Sequence, residues 1–161
     1  SQETFHTCLS KRGDWSEARL NLGIACWKAQ EFAAAREAFD AVLAANPDSA
    51  DALRGLAALA LEREDFAQAF DLHYQLIAMG ERSPELFYNA GLLSQKKGKL
   101  PDAARFYQEA LTEKPDFAEA LLNLGHARKA LGQEEEALEC WRKALELKPE
   151  LAQGYFENAI R

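Results

Sequence analysis

Proline and glycine are scarce in this chain, 5 and 9 of 161 residues, while alanine, leucine, glutamate and lysine dominate. The abundant types lose little side-chain freedom in a helix, so an all-α chain is expected. A basic stripe is missing as well. The formal net charge is −7, and a protein that neutralises phosphates needs the opposite sign, so neither nucleic acid nor an anionic membrane surface is an expected partner. No apolar run approaches the ~20 residues that span a bilayer, which argues against membrane insertion. Ser1-Gln2-Glu3-Thr4 has neither the basic start nor the apolar stretch of a secretory leader. Cysteine is sparse and odd in number: Cys8, Cys26 and Cys140 lack the spacing of metal ligands. They read as small buried hydrophobes in a reducing, cytoplasmic compartment. Whether Cys8 and Cys26 are neighbours in space stays open.

The chemistry of catalysis is missing too. There is no Gly-rich phosphate loop, no Gly-x-Ser-x-Gly elbow and no nucleophile–base set. Of His6, His73 and His126, the last has no Cys or His four residues on, so a metal site is not expected. Glu134-Glu135-Glu136 opens a helix, where negative charge suits the macrodipole. The expectation is a non-enzyme with no cofactor and no metal.

What the chain does have is a repeat. Written in rows of 34 residues, one column reads Ala35, Ala69, Ala103, Ala137 and another Phe39, His73, Tyr107, Trp141. A third reads Gly23, Ala57, Gly91, Gly125, preceded by Leu22, Leu56, Ala90, Leu124. Pro47, Pro115 and Pro149 share a column in which Glu81 is the exception. Each row carries two apolar stripes at helical spacing, for example Ala120, Leu121, Leu124, Ala127 and then Ala137, Leu138, Trp141, Ala144, Leu145. Between them Gly132 can take the left-handed conformation that ends a helix. The residue before proline is pushed out of helical geometry, so Lys148-Pro149 closes the row. Gly125 and Ala137 are small enough for two helix backbones to approach, with Trp141 filling the space beyond. Helix pairs are predicted over 16–29 with 32–45, 50–63 with 66–79, 84–97 with 100–113 and 118–131 with 134–147. Ser83-Pro84 reads as an N-cap followed by proline in the first turn. A hairpin of this kind cannot bury its faces alone, so neighbouring rows must stack.

Leu121, Leu124-Gly125, Ala137, Trp141, Ala144 and Pro149 resemble the tetratricopeptide repeat family, and so do Phe87, Gly91, Ala103, Tyr107, Ala110 and Pro115. The resemblance covers residues 16–151 and implies a right-handed α-solenoid of stacked antiparallel helix hairpins. Repeats are then expected at 16–49, 50–83, 84–117 and 118–151, together one solenoid domain. The repeat at 50–83 departs most, with Ala57 for glycine, His73 for an aromatic and Met79-Gly80-Glu81-Arg82 where proline is expected. Residues 1–15 place Phe5, Cys8 and Leu9 in the columns of a preceding second helix. Residues 152–161 place Tyr155 and Ala159 as a capping helix or the start of a further repeat. The expectation is a fragment of a longer array.

In that family the first helices line a concave groove. The resemblance implies a groove column of Asn21, Gly55, Asn89 and Asn123, similar to the asparagine ladder of the O-linked N-acetylglucosamine transferase superhelix. A side-chain amide can pair bidentately with an extended peptide backbone. Neighbouring columns add Arg54 and His126 together with Trp27, Tyr88, Leu92 and Leu122, the last four more apolar than a solvated face requires. Glu17, Asp51, Glu85 and Glu119 form an acidic column that reads either as charge complementing helix N-termini or as a rail for basic peptides. Glu85 and Glu119 oppose the carboxylate clamp of the family's chaperone-binding members. The expected function is a scaffold that holds a protein or extended peptide. The alternative is the targeting domain of a larger enzyme, for example a glycosyltransferase. Self-association through open array ends is a third expectation.

Overall fold

The computed structural model describes residues 12–152. These form eight α-helices and, among the described residues, no strand. They are α1 Arg12–Lys28, α2 Phe32–Ala45, α3 Ala50–Glu62, α4 Phe66–Ala78, α5 Pro84–Lys96, α6 Leu100–Glu113, α7 Ala118–Ala130 and α8 Glu134–Leu147. No helix among them is long and apolar enough to cross a membrane. The helix positions follow the repeat register with one difference: α1 begins at Arg12, not at residue 16. The proline column holds Gly13 in that row, so no ring forces the chain out of helical geometry there. Phe5, Cys8 and Leu9, like Tyr155 and Ala159, lie outside the described residues, as does His6.

Proline closes three of the rows as expected. Asn46, Lys114 and Lys148, each before a proline, leave helical geometry with φ of −141°, −138° and −137°. The row at 50–83 ends differently: Gly80 turns the chain at φ +93°, which replaces the missing proline with a left-handed stop. The N-cap at Ser83 is present, its Oγ accepting from the Leu86 N–H at 3.3 Å with Pro84 in the first turn.

Each tight hairpin turn is the same device. The N–H groups of Glu31, Asp65, Lys99 and Gln133 donate to the carbonyls of Cys26, Ala60, Ser94 and Arg128 at 2.8–2.9 Å. This six-residue closure needs a left-handed residue just before the donor. Gly98 and Gly132 supply it at φ +76° and +82°, but Gln30 and Glu64 adopt it at φ +62° and +56°. A side chain in that region is strained by roughly 1 kcal/mol or more. Glu64→Gly is therefore expected to stabilise the chain by about 0.5–1 kcal/mol, net of glycine's greater freedom when unfolded. A urea midpoint that stays put or falls would contradict this.

The chain divides into two compact units, residues 1–76 and 77–161. In the first, α1 packs on α2, and α3 packs on both. In the second, α5 packs on α6, α6 on α7 and α7 on α8. The repeat columns form the cores. Ala35, Ala69, Ala103 and Ala137 are all fully buried, and Phe39, His73, Tyr107 and Trp141 are nearly so. Glycine makes room for these rings and not, as expected, for a neighbouring backbone. A Cβ on Gly91 would lie 2.5 Å from the Tyr107 ring, and one on Gly23 2.6 Å from Phe39.

Two residues expected in the apolar stripes are instead exposed, Leu22 at 48% and Leu138 at 60%. Leu56 and Leu124 share Leu22's column and are buried, because a preceding second helix packs against their own helix. No described helix covers the corresponding faces of α1 and α8.

His73 is buried, with Nδ1 2.7 Å from the Ala69 carbonyl. Burial pushes its pKa below the usual 6.5, against the opposing effect of that hydrogen bond. The unfolded chain therefore binds the extra proton first. Stability contributed by neutral His73 is complete above pH ~6.5 and falls as pH drops through the range below it. Urea midpoints between pH 7.5 and 5 are expected to fall less steeply in His73→Asn than in the parent; equal slopes would overturn this.

Candidate binding groove

In the first unit, α1 and α3 flank a hollow of about 510 Å³ above the Phe39 ring. Three of the expected groove residues, Asn21, Trp27 and Arg54, line it with Leu20, Ile24 and Ala58. Helical spacing produces this: Leu20, Ile24 and Trp27 repeat at intervals that keep them on one face of α1. Ile24 is 44% exposed. Trp27 is half-buried, and its Nε1 is enclosed with no acceptor among the described residues. Gly55, the exception in the asparagine column, has a physical reason, since a Cβ there would lie 2.5 Å from the Phe39 ring.

In the second unit Tyr88, Asn89 and Leu92 lie on α5 and Leu122, Asn123 and His126 on α7, all half-buried. The asparagines differ. Asn123 donates from Nδ2 to the Tyr88 hydroxyl at 2.9 Å, so pairing both its groups with a peptide backbone would require releasing Tyr88. No described residue hydrogen-bonds the amides of Asn21 or Asn89. Tyr88 is further held by Phe117, ring centroids 4.9 Å apart, and by Tyr107 at 5.9 Å. Burial raises its pKa, opposed by the Asn123 hydrogen bond. His126 sits 5.3 Å from the Trp141 ring, and burial followed by Lys129 lowers its pKa, favouring the neutral imidazole.

The acidic column is largely engaged. Asp51 pairs with Arg54 at 2.6 Å and Glu119 with Lys148 at 2.5 Å, and the Lys148 hydrogen bond holds the Glu119 carboxyl below its usual range. Glu85 accepts from the Ser83 hydroxyl at 3.0 Å. That arrangement favours helix-end charge over a rail for basic peptides. Among the described residues no cluster of three His, Cys, Asp or Glu side chains is placed to hold a metal ion.

Sequence reasoning missed Phe39 as the floor of one half and Phe117 as the support of the other. Phe117 precedes α7 at the column where Ser49 and Ser83 cap their helices, so no repeat pattern marks it. A lysine ammonium, Lys114 Nζ, stands 5.0 Å from its ring.

Family models of the tetratricopeptide repeat match residues 20–86 and 118–151. The chain belongs to the tetratricopeptide repeat family. Membership makes it, at the coarse level, a protein–protein interaction scaffold of a kind that is typically non-enzymatic. No curated protein matches the sequence. Among solved structures, MamA is similar over 92% of this chain and 87% of its own, at 23% identity and a TM-score of 0.75. MamA AMB-1 gives 22% identity, 86% and 78% coverage and a TM-score of 0.77. MamA 41-end from Desulfovibrio magneticus RS-1 gives 21%, 84%, 76% and 0.73. At these identities the likeness is one of fold: a tetratricopeptide solenoid.

Proposed function

We propose that this tetratricopeptide array holds an extended segment of a partner protein against the first-helix faces of its repeats. The observation that carries the reading is the hollow between α1 and α3. Its apolar lining stands beside an amide, Asn21, with no partner among the described residues. A bound backbone would supply an acceptor and a donor to that amide, while apolar side chains cover Leu20, Ile24 and Trp27. Asn89 offers the same amide in the second unit, next to Tyr88, Leu92 and Leu122. No observation favours the enzyme-targeting alternative.

A partner segment recovered by pull-down and mass spectrometry supplies the ligand for the test. Each amide pair contributes roughly 0.5–1.5 kcal/mol net. Asn21→Ala with Asn89→Ala is therefore expected to weaken binding about tenfold or more, with the unfolding midpoint nearly unchanged. Unaltered affinity would remove the groove amides from the binding surface.

A further inference from the structure

The hollow between α1 and α3 carries opposite charges at its two ends. Residues eleven apart on an α-helix lie roughly 16 Å apart along the axis and within about 20° around it. Glu17, Asn21, Ile24 and Lys28 therefore stand in one straight stripe along α1, and all four line the hollow. Glu17 and Lys28 are exposed and pair with no described residue. On the facing wall Asp51 and Arg54 also line the hollow, but they bind each other at 2.6 Å, so their charges offset. What remains is a carboxylate at one end, an ammonium at the other, and Leu20, Ile24 and Trp27 between them.

Helix-end charge does not account for Glu17. The macrodipole acts within the first turn of a helix. Asp51 and Glu119 lie in the first turns of α3 and α7, whereas α1 begins at Arg12 and reaches Glu17 a full turn later. This member of the acidic column has neither a helix end nor a described cation to serve.

We propose that the segment held here carries a cation and an anion four to six residues apart, with leucine-sized side chains between them. The proposal rests on the reading of the hollow as the seat of an extended segment and supplies that segment's chemistry. An extended chain advances about 3.3–3.6 Å per residue, so roughly five residues span the distance from Glu17 to Lys28. A lysine or arginine of the segment meets Glu17, and an aspartate or glutamate meets Lys28. The apolar side chains cover Ile24 and Trp27 while the backbone pairs with Asn21. Charge complementarity selects this occupant, since a second cation would face Lys28 and a second anion would face Glu17.

The test uses four fluorescein-labelled peptides with blocked ends, read by fluorescence anisotropy. They are Lys-Ser-Leu-Ser-Leu-Ser-Glu, its reverse, and the two forms with lysine or glutamate at both ends. The better of the two mixed peptides is expected to bind about tenfold or more tightly than either like-charged one. Lys28→Glu is expected to move the preference to the peptide with two lysines, and Glu17→Lys to the peptide with two glutamates. Both variants change only exposed side chains, so the charge requirement is tested in a folded chain. Asn21→Ala is expected to weaken all four peptides. Equal binding of the four, each weakened by Asn21→Ala, would overturn the charge order and leave the extended-segment reading in place. Binding indifferent to Asn21→Ala would overturn that reading and the proposal with it. A preference unmoved by Lys28→Glu and Glu17→Lys, or no binding of any peptide, would overturn the proposal.

Discussion

Tyr107→Ala is expected to lower the unfolding free energy by about 3–5 kcal/mol, the range for removing a large buried aromatic side chain. Tyr107 has no exposed surface. Its ring lies over Gly91 on α5, near enough that a Cβ there would sit 2.5 Å away, and beside Tyr88, 5.9 Å between centroids. The hydroxyl contributes less, because it donates to the Oε1 of Gln95 at 2.8 Å and Gln95 is exposed. Tyr107→Phe is accordingly expected to cost only about 0.5–1.5 kcal/mol. Urea unfolding followed by circular dichroism separates the two. An alanine variant no less stable than the phenylalanine variant would show that the ring does not hold α5 to α6.

Gly91→Ala tests the same junction from the other side. In an exposed helix the change would stabilise by about 1 kcal/mol, since alanine is the better helix former. Here the added methyl meets a ring with nowhere to move, and overpacking of this kind costs about 1–3 kcal/mol. The variant is therefore expected to be destabilised despite the gain in propensity. The row at 50–83 shows the compatible arrangement, in which Ala57 replaces the glycine and His73, smaller than tyrosine, replaces the aromatic. In a Tyr107→Ala background the clash is gone, so Gly91→Ala is expected to become neutral or stabilising there. Additive effects in that double-mutant cycle would mean that the glycine and the ring are independent.

The fold was largely legible because repetition multiplied weak signals. One Gly132 is an ambiguous breaker, but residues 30, 64, 98 and 132 fall at one interval and all prove left-handed. Nothing in Gln30 or Glu64 as residues announces that conformation, which the sequence reading places at Gly132 alone. The same register mispredicted Leu22 and Leu138, since a column states what a position can pack against and not whether a neighbour is present. In the groove, the columns identified Asn21, Trp27 and Arg54 around one hollow. They treated Asn89 and Asn123 as equals, and the hydrogen bond from Asn123 to Tyr88 separates them.

The sequence by itself determined the eight helices of the described residues, the left-handed turn at Gly132 and the buried alanine and aromatic columns. Those properties follow from backbone preferences and from periodicity, which act within one row of residues. Only the tertiary structure decided which groups remain unsatisfied after packing. The enclosed Nε1 of Trp27 and the hollow above the Phe39 ring depend on side chains from different helices meeting or failing to meet. Such distances are set across stacked rows and leave no trace in the spacing along any one of them.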